Sequence, residues 1–181
     1  MTFLTKNAII VRSIMKCKVY YTFWDSPLGT LEIASSSTGV VCISIGRGRD
    51  SFLKMLKQRL GDTPVEGKEE NRIVTEELDS YFTGTLKTFK SSLDLRWRSP
   101  FQIAVWNEVR KIPYGQTTTY QSIALAIGRK ELTRAVGNAI GKNPIQILIP
   151  CHRVIKYDGS LGGYISGRDI KRKLLELEGA I

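Results

Sequence analysis

The residues with the most chemistry in this chain are Cys151-His152-Arg153, which follow Pro150 at the end of the apolar run Ile145 to Ile149. His152 is the only histidine in 181 residues, and it sits directly beside a thiol. A thiol is strongly nucleophilic as thiolate, and a free cysteine with a pKa near ~8.5 is only a few per cent ionised at neutral pH. A neighbouring imidazole, the Arg153 guanidinium and a helix N-terminus would each favour the ionised form. The cluster therefore reads as an activated nucleophile at the end of a strand-like run. The alternative, from the tripeptide alone, is a buried cysteine packing as a small hydrophobe.

A carboxylate far along the chain is out of place. In the helical segment Arg168 to Glu178, Ile170, Leu174 and Glu178 fall at i, i+4 and i+8. Glu178 thus continues an apolar stripe at a helix C-terminus, where the dipole disfavours negative charge. One reading is a surface glutamate at a fraying end. The sharper one is a buried acid that orients His152 and completes a Cys–His–carboxylate relay. Adjacent side chains of extended chain point apart, so His152 is expected to reach Cys151 through a water.

These groups need a scaffold, and the chain divides into two halves. Residues 1–97 form a small α/β unit with an extension over 1–15 and a linking segment over about 85–97. Lys18–Trp24, Thr30–Ala34 and Val40–Ile45 are strand-like, separated by the turns Asp25–Gly29 and Ser35–Gly39, and predict an antiparallel meander. Helical periodicity follows over Ser51–Leu60 (Phe52, Leu53, Leu56, Leu60) and Glu69–Phe82 (Ile73, Leu78, Tyr81, Phe82).

Residues 98–181 are mostly helical. Ser99-Pro100 is a helix start with serine as N-cap and proline at the first helical position. That helix turns Phe101, Val105, Trp106 and Val109 inward. A segment that opens with Thr118-Thr119-Tyr120-Gln121 and runs to Gly128, and another over Glu131–Gly141, about a dozen residues each, make a helix-turn-helix. The second turns Leu132, Ala135, Val136, Ala139 and Ile140 to the core. Its other face shows Thr133, Arg134, Gly137, Asn138, Gly141 and Lys142. Interior glycines each cost a helix about 1 kcal/mol, so Gly137 and Gly141 call for close packing or for close approach of a nucleic acid.

Charge favours the second explanation. The net charge is +10, with 14 Lys/Arg against 11 Asp/Glu in residues 1–97 and 13 against 6 in residues 98–181. A polyanion is the natural partner of such a half, and a solvated basic face is the alternative. At 42% hydrophobic and 24% charged residues the composition is that of a globular protein. The longest apolar runs fall well short of a membrane span, and Ala8-Ile9-Ile10-Val11 is too short for a signal-peptide core. No membrane partner is expected, and a cytoplasmic location is, or a nuclear one in a eukaryote. Cys17, Cys42 and Cys151 form no CxxC pair, so all three are read as reduced thiols, with neither disulfide nor metal expected.

Asn143-Pro144-Ile145-Gln146-Ile147-Leu148-Ile149-Pro150-Cys151-His152-Arg153-Val154 resembles the active-site signature of the O6-alkylguanine-DNA alkyltransferases (methylated-DNA–protein-cysteine methyltransferases). Ile112-Pro113-Tyr114-Gly115, Thr119-Tyr120, Arg134-Ala135-Val136-Gly137, Gly162-Gly163-Tyr164 and Leu175-Glu176-Leu177-Glu178-Gly179 agree with it, and Ser26-Pro27-Leu28-Gly29 carries it more weakly into the first half.

The resemblance implies a ribonuclease-H-like first domain and a winged-helix-like second one. It implies irreversible transfer of one alkyl group from O6-alkylguanine in duplex DNA to Cys151, with O4-alkylthymine a second candidate substrate. His152, Glu178 and Asn143 would serve Cys151, and Tyr120 would donate a proton or a hydrogen bond to the leaving guanine. Thr133, Arg134, Ala135, Gly137 and Tyr120 would meet DNA through the minor groove, with Arg134 filling the stack behind a flipped base. Tyr120, Ile140, Cys151, Val154, Tyr164 and Ile165 would line the pocket, with the main-chain carbonyls of Cys151 and Val154 reading the guanine amino group. Extrusion is required because a thiol cannot reach a base substituent inside the stack.

No cofactor and a monomeric state are also implied. In relatives whose first domain holds zinc, cysteine and histidine are the ligands, and only Cys17 could match one here. Ile165-Ser166 replaces a small polar pair and Gln146 a proline of some members, and both bear on pocket width. Two other classes use similar parts. A cysteine hydrolase would share the thiol and imidazole but usually draws its histidine from far away in sequence. A lesion sensor or DNA-binding regulator without chemistry would keep Arg134 and the helix-turn-helix.

Overall fold

The computed structural model describes residues 18–60 and 63–181. The expected extension over 1–15 and Cys17 lie outside them. The meander is present as β1 (Val19–Ser26), β2 (Gly29–Ser36) and β3 (Gly39–Ile45), paired antiparallel. A two-residue strand, β4 (Val65–Glu66), adds parallel to β1 and gives the order β3-β2-β1-β4. The sequence does not announce β4, because two residues carry no alternation to detect.

Each face of the sheet buries its own apolar set. Ala34, Cys42, Val19 and Tyr21 pack beneath α1 (Arg49–Leu60) through Phe52 and Leu56. Leu31, Ile33, Ile43 and Ile45 face α2 (Arg72–Phe82) through Val74, Leu78 and Tyr81. Ile73, expected inward, is 64% exposed, and its neighbour Val74 takes the core position. The 3-10 turn Glu69–Asn71 ahead of α2 sets the phase of the helix one residue later than the sequence period implied.

Residues 85–97 do more than link. Val40 N–H donates to Ser92 O at 2.8 Å and Asp94 N–H to Val40 O at 2.8 Å, so the segment runs along the free edge of β3. Gly39 permits this approach, since a Cβ there would collide with the Ser92 carbonyl.

The second half opens with α3 (Pro100–Arg110), whose N-terminus is a complete capping box. Ser99 Oγ accepts from Gln102 N–H and Gln102 Oε1 accepts from Ser99 N–H, both at 3.2 Å. The helix-turn-helix consists of α4 (Tyr120–Ala126) and α5 (Thr133–Gly141), of seven and nine residues. Both are shorter than expected. Thr119 caps α4, Gly128 turns the chain at φ +69°, and Lys130–Leu132 is a 3-10 turn that delays α5. Val105, Trp106 and Val109 are buried and Phe101 half-buried, and Trp106 Nε1–H donates to Ala139 O at 2.9 Å, locking α3 to α5. A short parallel pair, β5 (Thr118–Thr119) with β6 (Val154–Ile155), and α6 (Arg168–Leu177) complete the half.

One apolar cluster runs from Leu31 and Ile43 of the sheet through Trp106 and Val136 to Leu174. Among the described residues no helix is long and apolar enough to cross a membrane.

Candidate active site

The apolar run before the cysteine is not a strand. Ile145 docks beside Ile43 of β3, and the chain then folds on itself, with Leu148 N–H donating to Gln146 O and Ile149 N–H to Ile145 O. Asn143 replaces backbone partners in this turn: its Nδ2 donates to Ile149 O at 2.8 Å, and its Oδ1 accepts from Ile145 N–H at 3.0 Å. The buried Ile147 has a φ of +72°, a conformation that costs a β-branched residue on the order of 1–3 kcal/mol. This strained turn delivers Cys151 to the first position of a 3-10 turn, Cys151–Arg153.

Asn143 Nδ2 also donates to Cys151 Sγ at 3.0 Å. The thiol is 4% exposed, and burial pushes it up to about 11, against the downward pull of Asn143 and of the Lys171 charge. Arg153 does not act on it. Its Nε donates to Glu178 Oε2 at 2.8 Å, its Nη2 to Glu178 Oε1 at 2.9 Å and its Nη1 to Ile112 O at 2.6 Å. The expectation that Arg153 ionises the thiol is therefore corrected: the guanidinium is spent on the carboxylate, and the resting cysteine is a neutral thiol.

Glu178 caps the C-terminus of α6 and is buried with its partners. Its Oε1 lies 2.8 Å from His152 Nε2 and accepts from Tyr81 Oη at 2.6 Å. Burial alone would raise its pKa, but the hydrogen bonds from His152 and Arg153 outweigh this and hold it at about 2. His152 is fully buried, and burial lowers its pKa despite the carboxylate. With Nε2–H directed to the carboxylate, Nδ1 is the free lone pair, and it has no hydrogen-bond partner. No direct hydrogen bond joins imidazole to thiol.

Cys151 opens onto a cavity of about 600 Å³. Its walls bring together Tyr120, Thr133, Arg134, Gly137, Ile140, Tyr164 and Ile165 of the expected residues, and add Asn138, Gly141, Lys156, Gly162 and Gly163. Ala135 and Val154 are not in this lining: Ala135 is half-buried and Val154 is fully buried. The Tyr164 hydroxyl is buried beside the thiol without a well-aligned hydrogen bond. The Tyr120 phenol is raised by burial and by Cys151, and Gly162 leaves room for it, since a Cβ there would stand 3.1 Å from its oxygen.

A Cβ added at Gly141 would meet nothing within 4 Å, and one at Gly137 only the Tyr120 ring at 3.7 Å, so close helix packing does not account for these two glycines.

Two residues of the site were not expected from the sequence. Lys171 is fully buried, donates to Val154 O, and is lowered by burial to about 8. Its signal was present, since 171, 174 and 178 fall at i, i+3 and i+7 on the buried stripe. Its bond also means that the Val154 carbonyl has only one lone pair left. Tyr81 is a periodic apolar position of α2 in the other half, and nothing local marked it. Among the described residues no three His, Cys, Asp or Glu side chains gather as metal ligands.

Residues 19–95 match the ribonuclease-like domain of 6-O-methylguanine DNA methyltransferase, and residues 100–180 match its DNA-binding domain. The chain belongs to the 6-O-methylguanine DNA methyltransferase family. A methylated-DNA–protein-cysteine methyltransferase of Methanosarcina acetivorans is 41% identical over 162 residues, covering 90% of this chain and 99% of that one. The crystal structure of the Mycobacterium tuberculosis O6-methylguanine methyltransferase superposes with a TM-score of 0.76 at 40% identity, covering 89% and 93% of the two chains. A structure of Mycobacterium tuberculosis OGT in complex with DNA gives 0.77 at 39% identity, covering 88% and 92%. Members of this methyltransferase family thus share both halves of the fold described above.

Proposed function

We propose that this protein repairs DNA by direct reversal, moving the alkyl group of O6-alkylguanine in duplex DNA onto Cys151, once per molecule. The observation that carries the reading is that Cys151 Sγ, bonded to Asn143, opens onto a cavity walled by the helix that bears Arg134. A volume of about 600 Å³ suits a flipped nucleoside, and Arg134 is exposed where it can fill the gap in the stack. O4-alkylthymine is the second substrate the same chemistry could serve. The protein acts as a monomer, in the cytoplasm or, in a eukaryote, the nucleus.

The buried imidazole is neutral and its Nε2–H is tied to Glu178, so Nδ1 takes the thiol proton through a bridging water. Sγ attacks the alkyl carbon, an S–C bond forms, and the C–O6 bond breaks. The guanine leaving group takes a proton from the Tyr120 phenol, which burial keeps protonated until then. Proton return from His152 to Tyr120 leaves guanine, a thioether and a neutral site. No group is positioned to cleave a thioether, so the protein is consumed.

Intact-protein and peptide mass spectrometry after incubation with a duplex holding one O6-methylguanine tests this. One methyl on the Cys151 peptide with guanine restored is the expected result. Tight binding without mass gain would make the protein a lesion sensor instead.

A further inference from the structure

The N-terminal half carries a basic site that the alkyl-transfer reading does not use. Residues 46–60 hold Arg47, Arg49, Lys54, Lys57 and Arg59 against a single acid, Asp50, although residues 1–97 as a whole carry 14 Lys/Arg against 11 Asp/Glu. Arg47 and Arg59 line a cleft of about 120 Å³ between α1 and the C-terminal end of α5, together with Gly141 and Lys142. Arg47 also lines an adjoining cleft of about 360 Å³. Gly141 and Ile165 line both the first cleft and the cavity over Cys151, so the two adjoin.

Among the described residues no ion pair involves Arg47, Arg59, Arg98 or Lys142. Arg47, Arg59 and Arg98 all lie close enough to Cys42 for their charges to act on its thiol, and Arg59 acts on Arg98 in turn. Glu32, whose charge reaches Cys42 together with theirs, forms no ion pair with them; it accepts from Ser44 Oγ at 2.7 Å and from Gly48 N–H at 2.9 Å. Arg98 Nε is buried without an acceptor. Arg47, Arg59 and Lys142 are all exposed, so the cluster presents solvent-facing cations on one side of the lesion cavity, the electrostatic footprint of a polyanion.

We propose that Arg47, Arg59 and Lys142 form a second phosphate track, by which the N-terminal half grips the backbone of the duplex flanking the lesion. Arg134, on the first turn of α5, and Lys142, the residue that caps its C-terminus, are eight residues apart, roughly 12 Å at the helical rise, which matches three to four base-pair steps of about 3.4 Å. The track is therefore within reach of the same bound duplex. It also gives Gly141 a role, since a side chain there would stand between the lesion cavity and the cleft. This rests on the alkyl-transfer reading for the placement of the lesion, but its test does not require turnover.

Fluorescence anisotropy with a labelled duplex of about two helical turns containing O6-methylguanine, over a salt series, reads the track directly. In a Cys151→Ala background, which prevents turnover, Arg47→Gln/Arg59→Gln should weaken binding about tenfold and reduce the slope of log affinity against log salt by up to about 2. Arg47→Lys/Arg59→Lys should restore the slope, and Lys173→Gln, exposed on α6, should leave it unchanged. With Cys151 intact, the double Gln variant should react with free O6-methylguanine base at the original rate. An unchanged salt slope would overturn the proposal. A parallel loss on the free base would overturn it too, since the arginines would then be supporting the reacting site. Failure of the unaltered protein to gain a methyl would instead count against the alkyl-transfer reading, with the slope comparison still standing.

Discussion

The Tyr81 hydroxyl donates a 2.6 Å hydrogen bond to Glu178 Oε1, the oxygen that also meets His152 Nε2, so a helix of the N-terminal half holds the carboxylate of the reacting site. The contact joins residues 97 positions apart and is buried. It gives the first half a direct part in the chemistry of the second.

Tyr81→Phe removes only the hydroxyl, and a hydrogen bond to a charged group contributes about 1.5–3 kcal/mol. The variant should unfold at a lower denaturant midpoint with an unchanged m-value, and methyl transfer should slow several-fold as Glu178 and His152 loosen. Equilibrium unfolding and single-turnover kinetics check the two effects separately. Wild-type values in both would show that Arg153 and His152 suffice to hold the acid.

Glu178 ties the network together, and its pH dependence has a definite sign. Its folded pKa of about 2 lies below the ordinary glutamate value, so the unfolded chain binds the proton more tightly. The contribution to stability is complete above the unfolded pKa and is lost as pH falls from roughly 4.5 towards 2. Glu178→Gln should flatten that acid limb and cost about 3–5 kcal/mol at pH 7, because the Arg153 charge is left buried and unpaired. Thermal unfolding between pH 3 and 7 measures it. An acid limb as steep in Glu178→Gln as in the unaltered protein would sink the assignment.

How far the sequence reveals this site depends on whether each contact leaves a local pattern. Glu178 was legible because it interrupts an apolar stripe, and Lys171 was equally legible at i, i+3 and i+7 of that stripe. The meander and the Ser99-Pro100 start were legible because turn and cap residues act on their immediate neighbours. Tyr81 was not, since an aromatic at a core position of a helix looks the same whether or not its hydroxyl meets an acid. The fate of Arg153 was not either. Sequence proximity suggested that it served Cys151, whereas the strained turn at Ile147 and the 3-10 turn after Pro150 send it the other way, to Glu178. Strand patterning failed over Ile145–Ile149 because Asn143 substitutes side-chain amide bonds for a ladder, and apolar composition alone does not distinguish the two.

Arg134 is exposed at the rim of the cavity on the first turn of α5, with no ion pair among the described residues. If it fills the stack behind an extruded nucleotide, Arg134→Ala should slow transfer from duplex DNA by tenfold or more, while transfer from free O6-methylguanine stays within about twofold. Paired single-turnover assays on the two substrates give the ratio. Equal losses on both would remove the flipping role.

The resting state of Cys151 yields the last test. Its pKa of about 11 means that the thiolate fraction, and with it reaction with a simple electrophile such as iodoacetamide, should rise close to tenfold per pH unit from 7 to 10. A preformed thiolate would instead plateau near neutrality. Lys171 modulates this, because its charge lowers the cysteine while burial lowers the lysine itself to about 8. Lys171→Met should therefore slow alkylation most below pH 8, where the ammonium is charged, and converge with the unaltered protein above it. Stability on the alkaline side should respond as well. The unfolded chain holds the lysine proton between roughly pH 8 and 10.5 while the folded one releases it, so Lys171 adds stability as pH rises there. This works against the loss above about pH 9 from Cys42 and Cys151, whose folded thiols hold their protons to about 11. The stability difference between the unaltered protein and the methionine variant should therefore grow with pH. Stopped-flow alkylation and unfolding midpoints across pH 6–10 read both effects, and a Cys151 rate that is flat with pH in the unaltered protein would overturn the neutral-thiol assignment.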